Sequence, residues 1–346
     1  MRKLELSRGI FAVCAGVVIL AMVAIIVFIG SNAYQTFTVY HVKPTDFFFS
    51  KVWSPDDSEV GALVLIVGTF SVTILAVLLS TPLSVAVALF VTEIAPPWAR
   101  RFMQPVLELL TGIPSIIYGL LALQILVPLI SNVLNNLVQP FYTNGFGIIG
   151  AALVLTVMIL PTITTISIDA LGALPTGLRE ASLALGATRW QTIRKTLVPA
   201  ASSGIFTGVI LGMGRAIGET LAVSFIIGSN ANSFPISFEN TYPFIVLHPT
   251  STMTVQMLFD FAEAPHPSLN LSALWTLAFT LLVIGFLLVL VGRWISSRGA
   301  YSPPGSGIRL NFIRPLFARL QSRTSQLTAV PQANATSQVS VEGGAN

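Results

Sequence analysis

The sequence predicts an all-α membrane protein with six transmembrane helices, and three observations predict it. More than half of the 346 residues are apolar, only 9% are charged and the mean hydropathy is +0.80, more than a soluble core absorbs. Apolar runs recur at about 10–30, 62–94, 103–130, 146–168, 200–228 and 271–295. Each is long enough to cross, because about 20 residues at a 1.5 Å rise cover a hydrocarbon core of about 30 Å. Of the 18 basic residues, all but Lys43, Lys51 and Arg215 fall in four polar segments. These are Arg2, Lys3 and Arg8; Arg100 and Arg101; Arg179, Arg189, Arg194 and Lys195; and Arg293 with the arginines after it. They alternate with the other loops, so the positive-inside rule predicts both termini in the cytoplasm. The net charge of +4 then reflects topology rather than a nucleic-acid face.

The first run follows a basic start, Met1-Arg2-Lys3, but is too long for a cleaved leader and lacks a small-x-small site, so it reads as a helix. The second is longer than a bilayer needs, Pro82 predicts a kink in it, and Pro96-Pro97 ends it. On the third, Glu108, Thr111, Ser115 and Tyr118 follow at i, i+3, i+7 and i+10 as one polar stripe. Pro114, near Gly112, breaks its backbone ladder, so a half-helix begins near Ser115 with amides able to meet an anion. The alternative is hydroxyls bonded back to their own helix and Tyr118 packed in the bundle.

Between the fourth and fifth runs, residues 170–196 form a polar hairpin. Leu178, Ala181, Ser182 and Leu185 share a helical face, Gly186 stops that helix, and a second one spans roughly Thr188–Thr196. A semi-apolar face bordered by Arg179, Arg189, Arg194 and Lys195, with Trp190 beside it, is a docking surface in the cytoplasm.

On the fifth run, Gly204, Gly208, Gly212, Arg215 and Glu219 project at about 0°, 40°, 80°, 20° and 60°, one face at about 100° per residue. The glycines admit a close neighbour. A charge facing lipid at mid-span costs about 2.5–3.5 kcal/mol, so Arg215 and Glu219 must face protein or water. Either they line an anion pathway, or they form an i,i+4 ion pair that sets helix register.

The segments 31–60 and 229–268 are polar enough to be solvated outside the membrane and to receive an external partner. Trp98 and Trp294 sit beside the basic clusters and Trp53 and Trp275 at the opposite interface, where amphipathic rings anchor. Beyond Tyr301 the chain turns Pro/Gly/Ser-rich, then basic, then low-complexity, so 301–346 reads as a cytoplasmic tail, either disordered or with a short membrane-surface helix from Pro315.

Cys14 is the lone cysteine and His41, His248 and His266 are scattered, so neither a disulfide nor a metal site is predicted. No GxxxxGK[ST], HExxH or GxSxG motif occurs and no catalytic constellation replaces one, so the chain reads as no enzyme; if the process is ATP-driven, another polypeptide supplies the ATPase.

The hairpin resembles the EAA loop of MetI-like permeases of ABC importers, in Glu180-Ala181-Ser182, Gly186, Ile193 and Leu197-Val198-Pro199. Ser182 departs from the motif's second Ala, and Val198 intervenes before the proline. Closer still, Gly61-Ala62-Leu63, Thr92-Glu93-Ile94-Ala95-Pro96-Pro97-Trp98, Gly112-Ile113-Pro114-Ser115-Ile116-Ile117-Tyr118-Gly119 and Met213-Gly214-Arg215-Ala216-Ile217-Gly218-Glu219-Thr220 resemble the C-type (PstC-like) permeases of high-affinity phosphate importers. The resemblance covers about residues 1–300. It implies a six-helix permease domain over 1–300 paired with a homologous A-type permease, two copies of an ATPase carrying ATP and Mg, and an external phosphate-binding protein. No cofactor belongs to the chain itself. It implies that Glu180, Ala181, Ser182, Leu185, Gly186, Arg189 and Trp190 dock on the ATPase. The pathway residues are then Arg215, Glu219, Glu108, Thr111, Ser115 and Tyr118. Two alternatives stay within the architecture: a permease for another oxyanion such as sulfate or molybdate, and the A-type phosphate subunit, which shares the Arg-Ala-x-Gly-Glu-Thr theme. A secondary transporter is disfavoured, because six spans with one hairpin show no pair of related halves.

Overall fold

Six helices of the computed structural model are long and apolar enough to cross a membrane: Phe11–Thr38, Leu63–Ile94, Ser115–Asn136, Ile148–Gly172, Arg189–Ile217 and Leu269–Ser296. The structure describes residues 2–137, 144–235, 249–265 and 267–299. His248, His266 and the expected tail at 301–346 lie outside the described residues. Residues Met1–Tyr301 cluster as one compact unit.

The centre of the bundle is α3 (Leu63–Leu89) against α7 (Ile148–Gly172), where Val72, Ala76, Ala151, Leu155, Met158 and Ile159 are buried. Small residues let the two backbones approach, and their hydroxyls bond within and across the pair. Ser84 Oγ donates to the Leu160 carbonyl at 3.1 Å, and Thr156 Oγ1 to that of Ala152 at 2.7 Å. In hydrocarbon there is no water to do this, so each buried hydroxyl needs a protein acceptor. α3 carries Pro82 in its interior and continues through it. It ends in a π-helical turn, Phe90–Ile94, which Pro96 and Pro97 prevent from extending.

α1 (Arg2–Thr38) lies along α13 (Leu269–Gly299), joined by Thr36 and Thr276 at 2.8 Å, while residues 11–27 of α1 face away from the bundle. At one end of the bundle, α2 (Pro44–Phe49), the two-stranded ladder β1 (Trp53–Ser54) with β2 (Glu59–Val60) and α12 (Met253–Asp260) close over Phe47, Leu65, Met253 and Leu277. Trp53 is buried there with Nε1 donating to Asp260 Oδ2 at 2.8 Å, so it is a core residue of that cap rather than the interfacial anchor its position predicts. Trp98 and Trp294 are exposed.

The opposite end carries the hairpin: α8 (Thr176–Ala184), α9 (Arg189–Thr192) and a π-helical turn, Ile193–Leu197, that runs into α10 (Val198–Ile217). The hairpin's second helix and the fifth span are therefore continuous helix from Arg189 to Ile217. Ile193, Leu197, Ala201 and Ile205 bury against Ala88 and Leu171 and seat it on the bundle.

Two spans depart from the predicted boundaries. The expected third span, 103–130, is divided: α4 (Pro97–Gly112) is amphipathic, and the crossing segment is α5 (Ser115–Leu121), continuing through a π-helical turn at Ala122–Leu126 into α6 (Val127–Leu137). Pro114 has no amide to donate and drives Ile113 to an extended ψ of 127°, so the break falls where the sequence places it and the half-helix opens at Ser115, while the amphipathic α4 before it does not cross. The expected fifth span, 200–228, begins earlier, in the hairpin, and its helix stops at Ile217; α11 (Leu221–Ser224) is a separate turn. Gly214 and Gly218 leave little side-chain packing to hold a helix there.

Candidate translocation site and docking hairpin

The hairpin is built by local chemistry. Gly186 has φ of +82°, a left-handed conformation that only glycine adopts without strain. Its amide donates to the Leu183 carbonyl at 2.9 Å and that of Ala187 to Ser182 at 3.2 Å, the pair of bonds that ends α8 in a Schellman turn. Thr188 then starts α9 with a capping box: its Oγ1 accepts from the Gln191 amide, and Gln191 Oε1 accepts from the Thr188 amide at 2.8 Å. Ser182 ties the two limbs, with Oγ 3.0 Å from Thr192 Oγ1 and accepting from Thr196 Oγ1 at 3.4 Å. An alanine there makes neither bond. The large apolar residues most exposed on the hairpin are Leu185, 89% exposed, and Trp190, 63% exposed, with Leu183 beside them also exposed. Ala181, Ser182, Leu185, Gly186, Gln191 and Lys195 line a concavity of about 510 Å³. Glu180 and Arg189 are exposed on the same hairpin.

Arg179 does not join that border. Its Nη2 donates to Glu93 Oε1 at 2.7 Å and its Nε to both carboxylate oxygens at 3.1 and 3.2 Å. The hydrogen bond to Glu93 raises the guanidinium pKa above its already strongly basic value. The pair links residues 86 apart in sequence, and no local spacing signals it.

The glycines of α10 face α7. A Cβ at Gly204 would collide with Ala170 Cβ, one at Gly208 would lie 3.2 Å from Ile166 Cβ, and one at Gly212 2.7 Å from Ile163 Cγ1. One turn on, Arg215 Nη1 donates to Thr162 Oγ1 at 3.4 Å. Thr162 is ten residues from the end of α7, about 15 Å at a 1.5 Å rise, which puts Arg215 near the middle of the membrane. Glu219 does not share this helical face, because α10 has already ended; its Oε1 accepts from the Ala222 amide at 3.2 Å and its carbonyl from Thr254 Oγ1 at 3.0 Å. The i,i+4 ion pair is therefore not formed. Among the described residues Arg215 has no carboxylate partner, and Glu93–Arg179 is the ion pair recorded.

The polar stripe of the third span is likewise split between α4 and α5. Thr111 Oγ1 donates back to the Leu107 carbonyl at 2.9 Å, while Tyr118 OH donates across the break to the Leu110 carbonyl at 2.8 Å. Ser115 opens α5. Tyr118 lies within electrostatic reach of Arg215, and Gly119 packs on Ala222 and Phe225. The helices that follow the two interruptions, α5 after 113–114 and α11 after 218–220, thus pack together, with Tyr118 of α5 near Arg215. Glu108 is one helix further toward the hairpin, where it lines a cavity of about 540 Å³ with Arg100, Gln104, Asp169 and Arg179. Asp169 and Thr162 were not apparent as site residues from the sequence; their i, i+7 spacing on α7 is the signal that finds them.

This arrangement is a helical bundle with a polar mid-membrane junction and a projecting hairpin. Residues 80–300 match the family model described as binding-protein-dependent transport system inner membrane component. The chain belongs to this family. It is thus a multi-pass transport subunit of an inner membrane. Among curated proteins, a probable ABC transporter permease, YqgH of Bacillus subtilis, is 45% identical over 301 residues, 86% of this chain and 93% of that protein. The phosphate transport system permease proteins PstC of Mesorhizobium japonicum and Xylella fastidiosa are each 34% identical, covering 86% and 73% of this permease and 92% and 78% of their own lengths. Among solved structures, an inward-facing MetNI methionine ABC transporter matches 68% of this chain and 94% of its own with TM-score 0.51 and 19% identity. A bacterial alginate ABC transporter matches 83% and 94% with TM-score 0.54 and 15% identity; both likenesses are of fold, MetI-like.

Proposed function

We propose that this permease carries inorganic phosphate across the bacterial cytoplasmic membrane as one transmembrane subunit of an ATP-driven importer. The observation that carries the reading is Arg215, a guanidinium near mid-depth with no carboxylate partner among the described residues, beside two helix interruptions. A planar fork of N–H donors fits a tetrahedral oxyanion in two-point contact. An unneutralised charge at that depth persists where it meets water or an anion. Thr162 holds its hydroxyl within reach of it, and Tyr118, whose own hydroxyl donates to Leu110, is close enough to feel its charge. The names of the PstC relatives support phosphate over sulfate or molybdate.

The second wall of the pathway comes from a homologous A-type permease. The hairpin faces the cytoplasm with both termini and docks on a dimer of ATP-binding subunits, which hold the ATP and Mg. Leu185 and Trp190, apolar and exposed, are the anchors of that interface. An external phosphate-binding protein delivers the anion to the opposite end, over α2, the β1–β2 ladder and α12. Closure of the ATPase pulls the hairpin, and the continuous helix Arg189–Ile217 carries that displacement to Arg215.

Reconstitution with these partners tests the reading. Wild type takes up phosphate in preference to sulfate, and Arg215→Gln assembles but does not take it up. Normal phosphate uptake by Arg215→Gln overturns the pathway role, and equal transport of sulfate overturns the substrate.

A further inference from the structure

Only one of the two segments that meet at Arg215 is joined to the hairpin by helix. α10 continues from it directly, whereas α4 and α5, which carry Glu108 and Tyr118, reach it through no helix. Between them stands the corner where α3 turns into α4. Arg179, on the hairpin's first helix, holds Glu93 of that corner with three donor–acceptor contacts of 2.7–3.2 Å, and its Nη2 also donates to the Leu171 carbonyl at 3.3 Å, near the end of α7. From the other side, Arg100 on α4 donates to the carbonyls of Val91 and Thr92 at 2.9 and 2.7 Å, on the same π-helical turn. The sequence hairpin, Arg179, Glu93, π-turn, Arg100, α4 is thus continuous through two arginines. Both ion-pair partners are partly shielded, with Arg179 26% and Glu93 12% exposed, so water competes weakly for the contact. The cavity of about 540 Å³ between α4 and α7 borders this corner and gives α4 room to swing.

We propose that the Glu93–Arg179 clasp transmits the hairpin's movement to α4 and α5, so that both sides of the junction at Arg215 shift together in each ATPase cycle. Glu93 is a positioning residue: it touches neither solute nor nucleotide. A planar arginine gripping both carboxylate oxygens transmits rotation as well as translation, which a single-point contact does not. Without it, α10 moves and α4 lags, so ATP is hydrolysed while the pathway fails to open in register. This proposal rests on the transport reading above.

The test uses the reconstituted complex in four forms: wild type, Glu93→Ala, Arg179→Glu, and the exchange Glu93→Arg with Arg179→Glu. The readout is phosphate moved per ATP hydrolysed, with co-purification of the ATPase as the control for assembly. Each single variant is expected to lower that ratio at least about fivefold, and the exchange to recover part of it, as coupled pairs do in double-mutant cycles. Recovery is partial, because the bond from Arg179 to Leu171 is lost. Single variants with the wild-type ratio, or an assembled exchange variant with no recovery, overturn the clasp. A second measurement does not depend on the solute. Spin labels at the exposed Phe102 on α4 and at Gly177 on α8, where added atoms meet nothing, report their separation without nucleotide and with ATP trapped. In wild type the distance stays constant because the two segments move as one body. In Glu93→Ala it shifts by several ångströms, on the order of the one-turn displacements seen between packed elements. A wild-type shift as large as that in Glu93→Ala overturns the proposal. A wild-type complex that hydrolyses ATP without moving phosphate refutes the substrate instead, and the label distances still decide the clasp.

Discussion

Replacing Gly186 by valine isolates what one backbone angle contributes to the hairpin. A Cβ built at Gly186 meets nothing within 4 Å, so no steric clash enters, and the cost comes from φ of +82° alone. For an L-residue in that region the penalty is roughly 1–2 kcal/mol, at the upper end for a β-branched side chain. At 1.4 kcal/mol per factor of ten, valine lowers the equilibrium constant for the native turn about tenfold. The bonds from Gly186 to Leu183 and from Ala187 to Ser182 go with it, and Thr188 no longer begins α9 at its present angle. Asparagine tolerates left-handed φ, so Gly186→Asn is expected to lose only about two- to threefold. The assay is titration of the purified ATPase subunit against the reconstituted permease, read as the concentration giving half-maximal ATP-driven uptake. That concentration should rise about tenfold for valine, least for asparagine, and in between for alanine. Equal values for the three variants would refute the argument, since they differ only in how each accepts this conformation.

Gly204→Ala is expected to impair assembly of α10 on α7, because the new methyl collides with Ala170; pairing it with Ala170→Gly should restore the melting temperature and uptake together. Arg215→Lys keeps the charge but loses the fork, and phosphate uptake should fall at least about tenfold, since hydrogen bonds to charged groups contribute roughly 1.5–3 kcal/mol each. Ser182→Ala removes the link to Thr192 and Thr196, and hydrogen exchange over residues 188–197 should speed up by about fivefold, the equivalent of roughly 1 kcal/mol. The pKa of Arg179 is raised by its bond to Glu93, so its contribution is complete below the ordinary arginine value and is lost only as pH rises through the still higher folded one. Exchange protection of α8 should therefore not fall between about pH 7 and pH 10 through this group; protection at pH 7 that Arg179→Ala leaves unchanged would show that Arg179 does not hold the hairpin.

The sequence carried the hairpin in detail because capping is local: Gly186, Thr188 and Gln191 act on amides within a few residues. It carried the face of Gly204, Gly208 and Gly212 because a regular helix repeats every 3.6 residues, and it located Arg215 because a charge in an apolar run stands out. It extended that periodicity too far at Glu219, beyond the last turn of α10, and although it placed the break at Pro114 and the new helix at Ser115, it carried one polar stripe across that break, where the structure has two short ones. It assigned Trp53 to an interface by depth, whereas its indole is turned inward to Asp260.

By itself, the sequence determined that this chain spans a membrane six times, which segments project, and where a charge interrupts the apolar runs, since these depend on composition and on spacing along one helix. Only the tertiary structure decided that α5 and α11, the helices following the interruptions at 113–114 and 218–220, pack on each other near Arg215, that Glu219 caps α11 instead of pairing with Arg215, and that Arg179 grips Glu93. Those are contacts between helices remote in the chain, fixed by which small residues let two backbones approach, and no periodicity along a single helix encodes its neighbour.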